Sequence, residues 1–345
     1  MKVIHILPDN SVGGAPINVN RIIDLTKVHF NHEVLFLKYF RCDLNVLNEY
    51  IPIKLQASIL INIVSIIFYL VMLIWRKEAF ILCTHGRFCG LFFRIFASVF
   101  SIPVVHTYRG FMLKRYMGAF ADFKNNTINY LERKLSQTGT IIAVGASEYK
   151  AISLHLQPRK LELIYNPVSL TLEEKNNKPE FDIIFIGRKS LQKGYDKFQK
   201  LVTLNKVSHI GWFGDDEDFE ALTPINDKVI IKPSVSDVSG LLKKTKLLGV
   251  LSRWEGASTV TIEALMSSVP VIALSCQGVD EFIDQTGGGK IVEFDDFLPV
   301  VEDLISNPSK MMDLKMNTAG IYEMVNLNDI KDKYINIYKS EFKNV

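Results

Sequence analysis

Short β-branched runs alternate with longer helical stretches along almost the whole chain. Apolar residues at helical spacing fill the intervals between the runs. The runs predict strands at residues 3–7, 34–38, 81–84, 104–107, 141–144, 163–165, 182–186, 210–213, 229–231, 247–251, 271–274 and 291–293. Strands that alternate with helices predict α/β architecture, with parallel sheets covered by helices on both faces. Two such series in succession predict two doubly wound, Rossmann-like domains.

A polar break separates the two series. The stretch "NPVSLTLEEKNNKPE", residues 166–180, contains two prolines and a charged cluster, as interdomain linkers do. We therefore predict domains at 1–168 and 169–325. The remaining segment, 326–345, should form an amphipathic helix that packs back on the first domain. Its apolar positions are Ile330, Tyr334, Ile337, Tyr338 and Phe342.

Composition and charge agree with two folded domains. The chain has 345 residues, of which 48% are hydrophobic and 22% charged, and this length is more than one ordinary core needs. The net charge of +3 is unevenly spread: residues 1–168 hold 19 Lys/Arg and 10 Asp/Glu, and residues 169–345 hold 21 and 27. A basic half beside an acidic half predicts an anionic partner for the first domain. No segment resembles a nucleic-acid-binding module, so we expect no nucleic acid.

The cysteines and the N-terminus favour a cytoplasmic protein. The four cysteines, Cys42, Cys83, Cys89 and Cys276, have no metal-ligand spacing and are read as reduced thiols. The N-terminal "MKVIHILPDN" is too short in its apolar run for a signal peptide and predicts a first strand.

One segment, "ILINIVSIIFYLVMLIW" at residues 59–75, carries no charge over 17 residues. This length is at the lower limit for a membrane-spanning helix. The favoured interpretation is a buried helix of the first α/β domain. A spanning helix, or a helix that packs on the sheet and touches a membrane surface, stays open at this point.

Ligands of doubly wound sheets bind at the carboxyl ends of the strands. After the first strand, Gly13 and Gly14 open a helix whose N-terminus could hold phosphate, although a simple tight turn explains them too. After the strand that ends at Ile186, the loop "GRKSLQKG" begins with Gly187 and presents Arg188 and Lys193 beside a helix start. Two cations there would suit a diphosphate, and solvated surface cations are the alternative.

The stretch "SRWEGASTVTIEAL" places two acids eight positions apart. Glu255 lies in the loop after a strand, and a helix should begin near Ser258 or Thr259. Glu263 follows about one turn into that helix among apolar neighbours, so it should be shielded and should need a partner. A carboxylate accepts two hydroxyl hydrogen bonds, which fits the vicinal diol of a ribose. The loop acid would then reach the far end of the same ligand.

Together these motifs resemble retaining glycosyltransferases of the GT-B fold, specifically glycosyltransferase family 4. "EGASTVTIEAL" resembles the family's Glu-x7-Glu motif, "GRKSLQKG" its phosphate loop and "SVGGAP" its N-terminal glycine loop. "IYNPV" is similar to its interdomain segment, and "CQGVDEFI" resembles its Gly-x-x-Glu-Ile stretch. The matches occur in the same order over roughly residues 1–330. The resemblance implies two Rossmann-like domains that face a cleft.

The resemblance also implies site residues. Arg188 and Lys193, with the glycine loop, would hold the donor diphosphate and stabilise its developing charge. Glu263 would bind the ribose, and Glu255 would contact the donor sugar. No cofactor or metal is implied beyond the nucleotide sugar itself. The positions that match the donor site are Gly13, Gly14, Gly187, Arg188, Lys193, Glu255, Ser258, Thr259, Val260 and Glu263.

One departure concerns a histidine that the family often places near the donor sugar. In "VVHTYRGF" the matching position is Arg109, which stays charged and cannot act as a base, although it could bind a phosphate or an acidic sugar. His106 should face the other side of its strand. His85, at another strand end, is either functional or part of the core. A front-side mechanism, in which the leaving phosphate takes the acceptor proton, needs no histidine.

The acceptor should bind the first domain. The stretch "YRGFMLKRYMGAF", residues 108–120, mixes Phe111 with Lys114 and Arg115. This mixture suits a lipid-linked or membrane-bound glycan, and a solvated basic loop is the alternative.

We therefore expect a cytoplasmic enzyme, at the inner face of the membrane if it associates with lipid, that builds a surface polysaccharide or lipopolysaccharide. A sugar-nucleotide epimerase on the same fold and a catalytically degenerate nucleotide-sugar-binding subunit are the alternatives. A dehydrogenase is excluded because the dinucleotide fingerprint is missing.

Overall fold

The computed structural model of the protein describes residues 1–9, 14–38, 58–113, 120–169, 179–203, 209–215, 229–233 and 237–343. The chain divides into two compact units. The first comprises Met1–Pro167 together with Leu327–Val345, and the second comprises Val168–Asn326.

The first unit is built on a parallel sheet in the order β2-β1-β3-β4-β5-β6. The chain moves from β1 outward to β2 and then returns to the other side of β1, so the strand order reverses between β1 and β3. Its strands are β1 Lys2–Asp9, β2 Asn31–Lys38, β3 Phe80–His85, β4 Val104–Thr107, β5 Thr140–Ala143 and β6 Leu161–Leu163. The helices between them are α1 Gly14–Thr26, α2 Ile59–Trp75, α3 Arg87–Val99, α4 Ala121–Leu135 and α5 Ala146–Leu156.

The second unit repeats this plan with the sheet order β12-β11-β10-β7-β8-β9, again parallel. Here the order reverses between β7 and β10. Its strands are β7 Phe181–Ile186, β8 Ile210–Phe213, β9 Val229–Lys232, β10 Thr245–Val250, β11 Val271–Leu274 and β12 Gly289–Val292. Its helices are α6 Tyr195–Thr203, α7 Val238–Lys243, α8 Thr259–Met266, α9 Asp280–Thr286, α10 Phe297–Ser306, α11 Pro308–Asn317 and α12 Ile321–Met324, with a 3₁₀ turn at Thr318–Gly320.

The last helix, α13 Leu327–Phe342, returns to the first unit and contacts α1, β3 and β4. The predicted apolar face includes Ile330, Tyr334 and Tyr338, which are buried. Glu341 on the same helix is also buried, and it accepts a hydrogen bond from Thr140 Oγ1 at 2.6 Å. This bond offsets the cost of burying the carboxylate.

Both sheets are covered on both faces, which explains why their strands read as continuous apolar runs. In the second unit Phe185 stacks with Trp212 and Phe297 and meets Phe198 edge-on, all in one core cluster over the central strands. In the first unit the inner faces of α2 and α3 share a core cluster with β1, β2 and β3. The two helices therefore lie on the same side of that sheet.

The uncharged segment at 59–75 forms α2, which Ser58 caps through a side-chain bond from the backbone N–H of Ile61. One face of α2, including Ile66 and Leu70, packs on the sheet. Among the described residues, no helix combines the length and the apolar character that crossing a bilayer requires.

Candidate active site

The loop after β7 is fixed by its neighbours at the point where the strand order reverses. The backbone N–H of Gly187 donates to Phe213 O at 3.0 Å, and Trp212 Nε1 donates to Gly187 O at 2.9 Å. At the loop's end Gly194 has φ +75°, and a Cβ added there would lie 2.2 Å from Leu251 O. Glycine is therefore required for the loop to approach the end of β10.

The loop after β10 is joined directly to the first loop. The backbone N–H of Arg253 donates to Gln192 O at 2.8 Å, and Gln192 Nε2 donates to Trp254 O at 3.1 Å. The Arg253 guanidinium also binds both carboxylate oxygens of Asp196, at 2.8 and 2.7 Å. These hydrogen bonds from Arg253 lower the pKa of Asp196. The two loops thus form one hydrogen-bonded assembly.

This assembly brings together two of the predicted catalytic residues. Lys193 Nζ lies 2.6 Å from Glu255 Oε1, with the side chains 21% and 11% exposed. Ser252 Oγ donates to the same carboxylate oxygen at 2.7 Å. A half-sheltered ion pair of this kind offers both a cation and a carboxylate to a polar ligand.

The N-terminus of α8 completes the site. The helix begins at Thr259, within the predicted range, and its N-cap residue Ser258 makes no side-chain capping hydrogen bond. A hollow in the second unit is lined by residues from both loops and from the start of α8, among them Lys193, Ser252, Glu255, Ser258 and Val260. The positive end of the helix dipole therefore opens beside the ion pair, which favours an anion.

The segment at residues 276–278 accepts hydrogen bonds from the backbone of the loop after β10. The backbone N–H groups of Glu255 and Ser258 donate to Gln277 O at 3.1 Å and to Gly278 O at 2.9 Å. Gly278 has φ +78°, and a Cβ there would lie 2.8 Å from Glu255 O. The motif "CQGVDEFI" therefore supports the position of Glu255.

The other predicted donor-site residues lie around this assembly. Arg188 is exposed on the first loop, Thr259 begins α8, and Glu263 lies one turn further on, buried at 7% exposure. In the first unit Gly14 begins α1. Gly13 lies outside the described residues.

In the first unit Arg109 and His85 meet at the carboxyl edge of the sheet. His85 is the last residue of β3, and Arg109 follows the neighbouring strand β4. Arg109 Nη1 donates to Asn166 Oδ1 at 3.2 Å, and Arg109 Nη2 lies 3.5 Å from His85 Nδ1. Burial lowers the pKa of Arg109.

Glu148, at the start of α5, fixes the loop that carries Arg109. Its carboxylate accepts the backbone N–H groups of Gly110 at 2.7 Å, Phe111 at 2.8 Å and Val144 at 2.9 Å. Burial raises the pKa of Glu148, while these three bonds oppose the rise. The side chain therefore connects the ends of β4 and β5.

The acceptor region predicted at 108–120 is described only in part. Phe111 packs against Tyr108 and is 3% exposed, so the predicted contact of Phe111 with an acceptor or membrane is wrong for its side chain: the apolar ring is in the core. Lys114 and Arg115 lie outside the described residues. His106 is buried on the α3 side, where it pairs with Thr84 Oγ1 at 2.8 Å.

Sequence reasoning missed Ser252 and Glu148. Ser252 stands three residues before Glu255, directly after a strand, and its position at a strand end was the available signal. Glu148 follows "VGAS" at the start of a helix, where acids are common for reasons unrelated to function. Its three backbone partners come from two strand ends, which no local pattern indicates.

One protein family and several known proteins are similar to this chain in sequence. Residues 171–320 match the family of glycosyl transferases group 1. An uncharacterized 41.2 kDa protein in the cps region of Klebsiella pneumoniae is 29% identical over 237 residues, 63% of this chain and 66% of that protein. The UDP-Gal:alpha-D-GlcNAc-diphosphoundecaprenol alpha-1,3-galactosyltransferase of Escherichia coli is 22% identical over 329 residues, 84% of this chain and 83% of that one.

A solved structure is similar over nearly the full length. Anabaena Alr3699/HepE, crystallised in complex with UDP-glucose, superposes with a TM-score of 0.79 at 14% identity. The superposition covers 99% of this chain and 100% of that one. This likeness of fold confirms the predicted GT-B architecture.

Proposed function

We propose that the protein is a retaining glycosyltransferase, on the ground that residues 171–320 match the family of glycosyl transferases group 1. It moves a sugar from a nucleoside diphosphate sugar to a glycan or lipid-linked acceptor during synthesis of a surface polysaccharide such as capsule or lipopolysaccharide. Two relatives support this class of acceptor: one lies in a cps region, and the other is named for a diphosphoundecaprenol-linked acceptor.

The observation that carries the proposal is the Lys193–Glu255 pair beside the start of α8. A diphosphate would bind the helix N-terminus and the cations Arg188 and Lys193, because both supply positive charge at one place. The ribose would bind Glu263. Glu255 would contact hydroxyl groups of the donor sugar.

The transfer follows a front-side course. The bond between the anomeric carbon and the diphosphate oxygen breaks, and its electron pair leaves with the nucleoside diphosphate. The acceptor hydroxyl oxygen bonds to the same face of that carbon, and its proton passes to the departing phosphate oxygen. Arg188 and Lys193 stabilise the charge that develops on the leaving group.

No metal or cofactor is needed in this scheme, because the two cations and the helix dipole neutralise the leaving group. Transfer should therefore proceed at the same rate in EDTA as in Mg²⁺.

The test is a transfer assay with UDP-galactose and UDP-glucose as the first donors and bacterial lipid extract as the acceptor source. Proton coupling constants of the product report its anomeric configuration. An α-linked product from an α-linked donor supports the proposal. A β-linked product would refute the retaining course. Donor binding without any transfer would favour the catalytically degenerate subunit.

A membrane surface as the location of the acceptor has support of its own. The outward faces of α2 and α3 expose large apolar side chains, with Phe68 72% and Trp75 82% exposed. We call this surface the apolar band. Its members are Leu60, Val64, Phe68, Trp75, Phe88, Phe92 and Val99.

Charge favours an anionic bilayer as the occupant of the apolar band. The sequence of α2 contains no charged residue, and Arg76 and Lys77 follow Trp75 at its end. Residues 1–168 carry 19 basic and 10 acidic side chains, an excess of nine positive charges. Apolar and aromatic side chains bordered by cations suit insertion at the level of anionic headgroups.

Vesicle co-sedimentation tests this surface. Binding to phosphatidylglycerol vesicles should exceed binding to phosphatidylcholine vesicles, and the double change Phe68→Asn with Phe92→Asn should reduce it about tenfold or more. Met316→Gln, at an exposed residue of the second unit, is the matched control and should bind as wild type. Undiminished binding by the double variant would exclude the apolar band. If wild type is a dimer and the double variant is a monomer, the apolar band would instead be a contact between two copies of this chain.

A further inference from the structure

Three buried histidines stand on the three neighbouring strands β2, β1 and β3, and their rings form a row. His5 Nε2 lies 3.1 Å from His32 Nδ1, and His5 Nδ1 lies 3.1 Å from His85 Nε2. Adjacent rings lie side by side and close to parallel, with interplanar angles of 27° and 19° and centroids 5.3 and 5.4 Å apart. The row begins at Thr26 at the end of α1, where His32 Nε2 is 3.0 Å from Thr26 Oγ1. It ends at Arg109.

The chemistry of Arg109 fixes the direction of every hydrogen bond in this row. A guanidinium can only donate, so His85 Nδ1 must be an acceptor and His85 Nε2 must carry the proton. His5 then accepts on Nδ1 and donates from Nε2. By the same reasoning His32 accepts on Nδ1 and donates from Nε2.

Thr26 completes the row without leaving a proton in excess. Its hydroxyl oxygen accepts from His32, and its own proton is donated to Ile22 O at 2.7 Å. Every ring nitrogen of the three histidines then has a partner of the correct kind. The opposite direction would place His85 Nδ1–H against a guanidinium N–H, where both groups are donors.

An additional proton on any of the three rings would also place one N–H against another. In agreement, burial lowers the pKa of His32 to about 4 and lowers the pKa of His5 and His85 well below the ordinary value. The neighbouring rings and Arg109 add to the effect on His5. The row is therefore a chain of neutral imidazoles.

Arg109 has hydrogen-bonding capacity that the described residues do not use. Its Nη1 binds Asn166 and its Nη2 faces His85, whereas the buried Nε has no partner in the part of the chain that the structure describes. Tyr334 and Glu148 also act electrostatically on it. The carboxyl edge of this sheet, where its strand order reverses, is the usual position for a ligand.

We propose that the row from Thr26 through His32 and His5 to His85 positions Arg109 as an oxyanion-binding group for the phosphate of the acceptor. His85 is then a positioning residue and not a base, because both of its ring nitrogens are engaged. The phosphate as ligand rests on the proposed function, whereas the direction of the row does not.

Side-chain NMR of the full chain labelled with ¹⁵N-histidine tests the row itself. Long-range ¹H–¹⁵N correlations distinguish the two neutral tautomers and the charged form. His5, His32 and His85 should each carry the proton on Nε2, and they should stay neutral from pH 8 to pH 5.5. Substitution of each histidine assigns its signals. A proton on Nδ1 of any of the three, or titration near pH 6.5, would overturn the proposal.

Two variants of one residue test the positioning of Arg109. Thr26→Val removes the hydroxyl with little change in shape, whereas Thr26→Ser retains it. Geranyl phosphate is the probe, titrated with UDP in excess so that the nucleotide site is filled. Thr26→Val should weaken binding about fivefold or more, Thr26→Ser should stay within about twofold of wild type, and Arg109→Lys should weaken it about tenfold.

The outcomes separate the two proposals. Equal affinity of Thr26→Val and wild type, with altered tautomers in the variant, would show that the row does not position Arg109. No binding of geranyl phosphate by wild type would remove the phosphate role. His106→Phe changes a buried histidine outside the row and should alter neither the tautomers nor the affinity. Sugar transfer enters none of these readouts, so a failure of the proposed function would be visible separately.

Discussion

Glu255 receives two donors, Lys193 Nζ and Ser252 Oγ, on the same carboxylate oxygen. This arrangement orients the second oxygen of Glu255 for a ligand and keeps the lysine close to where a diphosphate would lie. The pair depends on two loops that follow different strands. A sequence motif can identify Lys193 and Glu255 separately, but the contact between their side chains depends on the hydrogen bonds that join the two loops.

Glu255→Gln should reduce transfer by about 100-fold or more while leaving the fold intact. The amide still accepts the Ser252 hydrogen bond, but it loses the charge that Lys193 and the developing transition state require. The measurement is kcat/KM together with the melting temperature. Glu323→Gln, at an exposed position of the same unit, should retain full activity. Activity of Glu255→Gln within a few-fold of wild type would remove the catalytic role of Glu255.

At this scale the sequence identified Lys193, Glu255 and Arg109 but missed His5 and His32 as functional candidates. The first three stand after strands in local motifs. The two histidines lie inside strands, and their contact depends on a register in which Val3 is opposite His32 and His5 is opposite Cys83. Pairing between distant strands leaves no mark in a local pattern, which is why the row could not be predicted.

At the scale of elements, the loop after β7 requires a glycine at position 194. Gly194 combines a left-handed φ of +75° with an approach that leaves no room for a side chain. Strain alone costs a non-glycine residue about 1 kcal/mol at such a position. Here a clash with the backbone of Leu251 is added.

Gly194→Ala should therefore weaken nucleotide binding and lower stability together. The matched control is Gly287→Ala, which has φ +66° at the end of α9 but whose Cβ would meet only the tip of Asn317, at 3.2 Å. Binding of UDP by calorimetry and melting temperature are the measurements. The control should lose about 1 kcal/mol of stability and no affinity. Equal affinity of Gly194→Ala and wild type would show that the loop adjusts without consequence for the site.

The pattern of apolar residues predicted all the strands of both sheets, and the deviations are confined to boundaries. The interior strands β4, β8 and β11 begin and end at the predicted residues. The edge strands β6 and β12 begin two residues earlier than predicted. The interior strand β10 also begins two residues early, at Thr245, whereas the edge strand β9 begins at the predicted Val229, so these shifts do not separate edge strands from interior ones.

For the whole molecule, the buried histidines predict how stability depends on pH. The pKa of His32 falls from 6.5 to about 4 because the ring is buried. Between these two values the unfolded chain binds more protons than the folded one, so stability falls as the pH falls through this window. This difference in pKa corresponds to about 3 kcal/mol for His32 alone.

The free energy of unfolding in urea should therefore decline from pH 7 to pH 4, and His32→Gln should flatten the decline by about 3 kcal/mol. His29→Gln is the matched control, because His29 is exposed and only three residues away. Parallel curves for wild type and His32→Gln would mean that His32 is not held neutral in the folded protein.

The central claim is that the joined loops of the second unit bind a nucleoside diphosphate sugar, and one measurement tests it most directly. The melting temperature of the protein is recorded with UDP-, GDP-, ADP- and CMP-sugars, beside the double variant Arg188→Ala with Lys193→Ala. A ligand that binds only the folded state raises the melting temperature. We predict a selective rise with one donor class, with UDP-sugars the first to test, that the double variant largely loses. No rise with any donor, or an equal rise in the double variant, would contradict the assignment of the site.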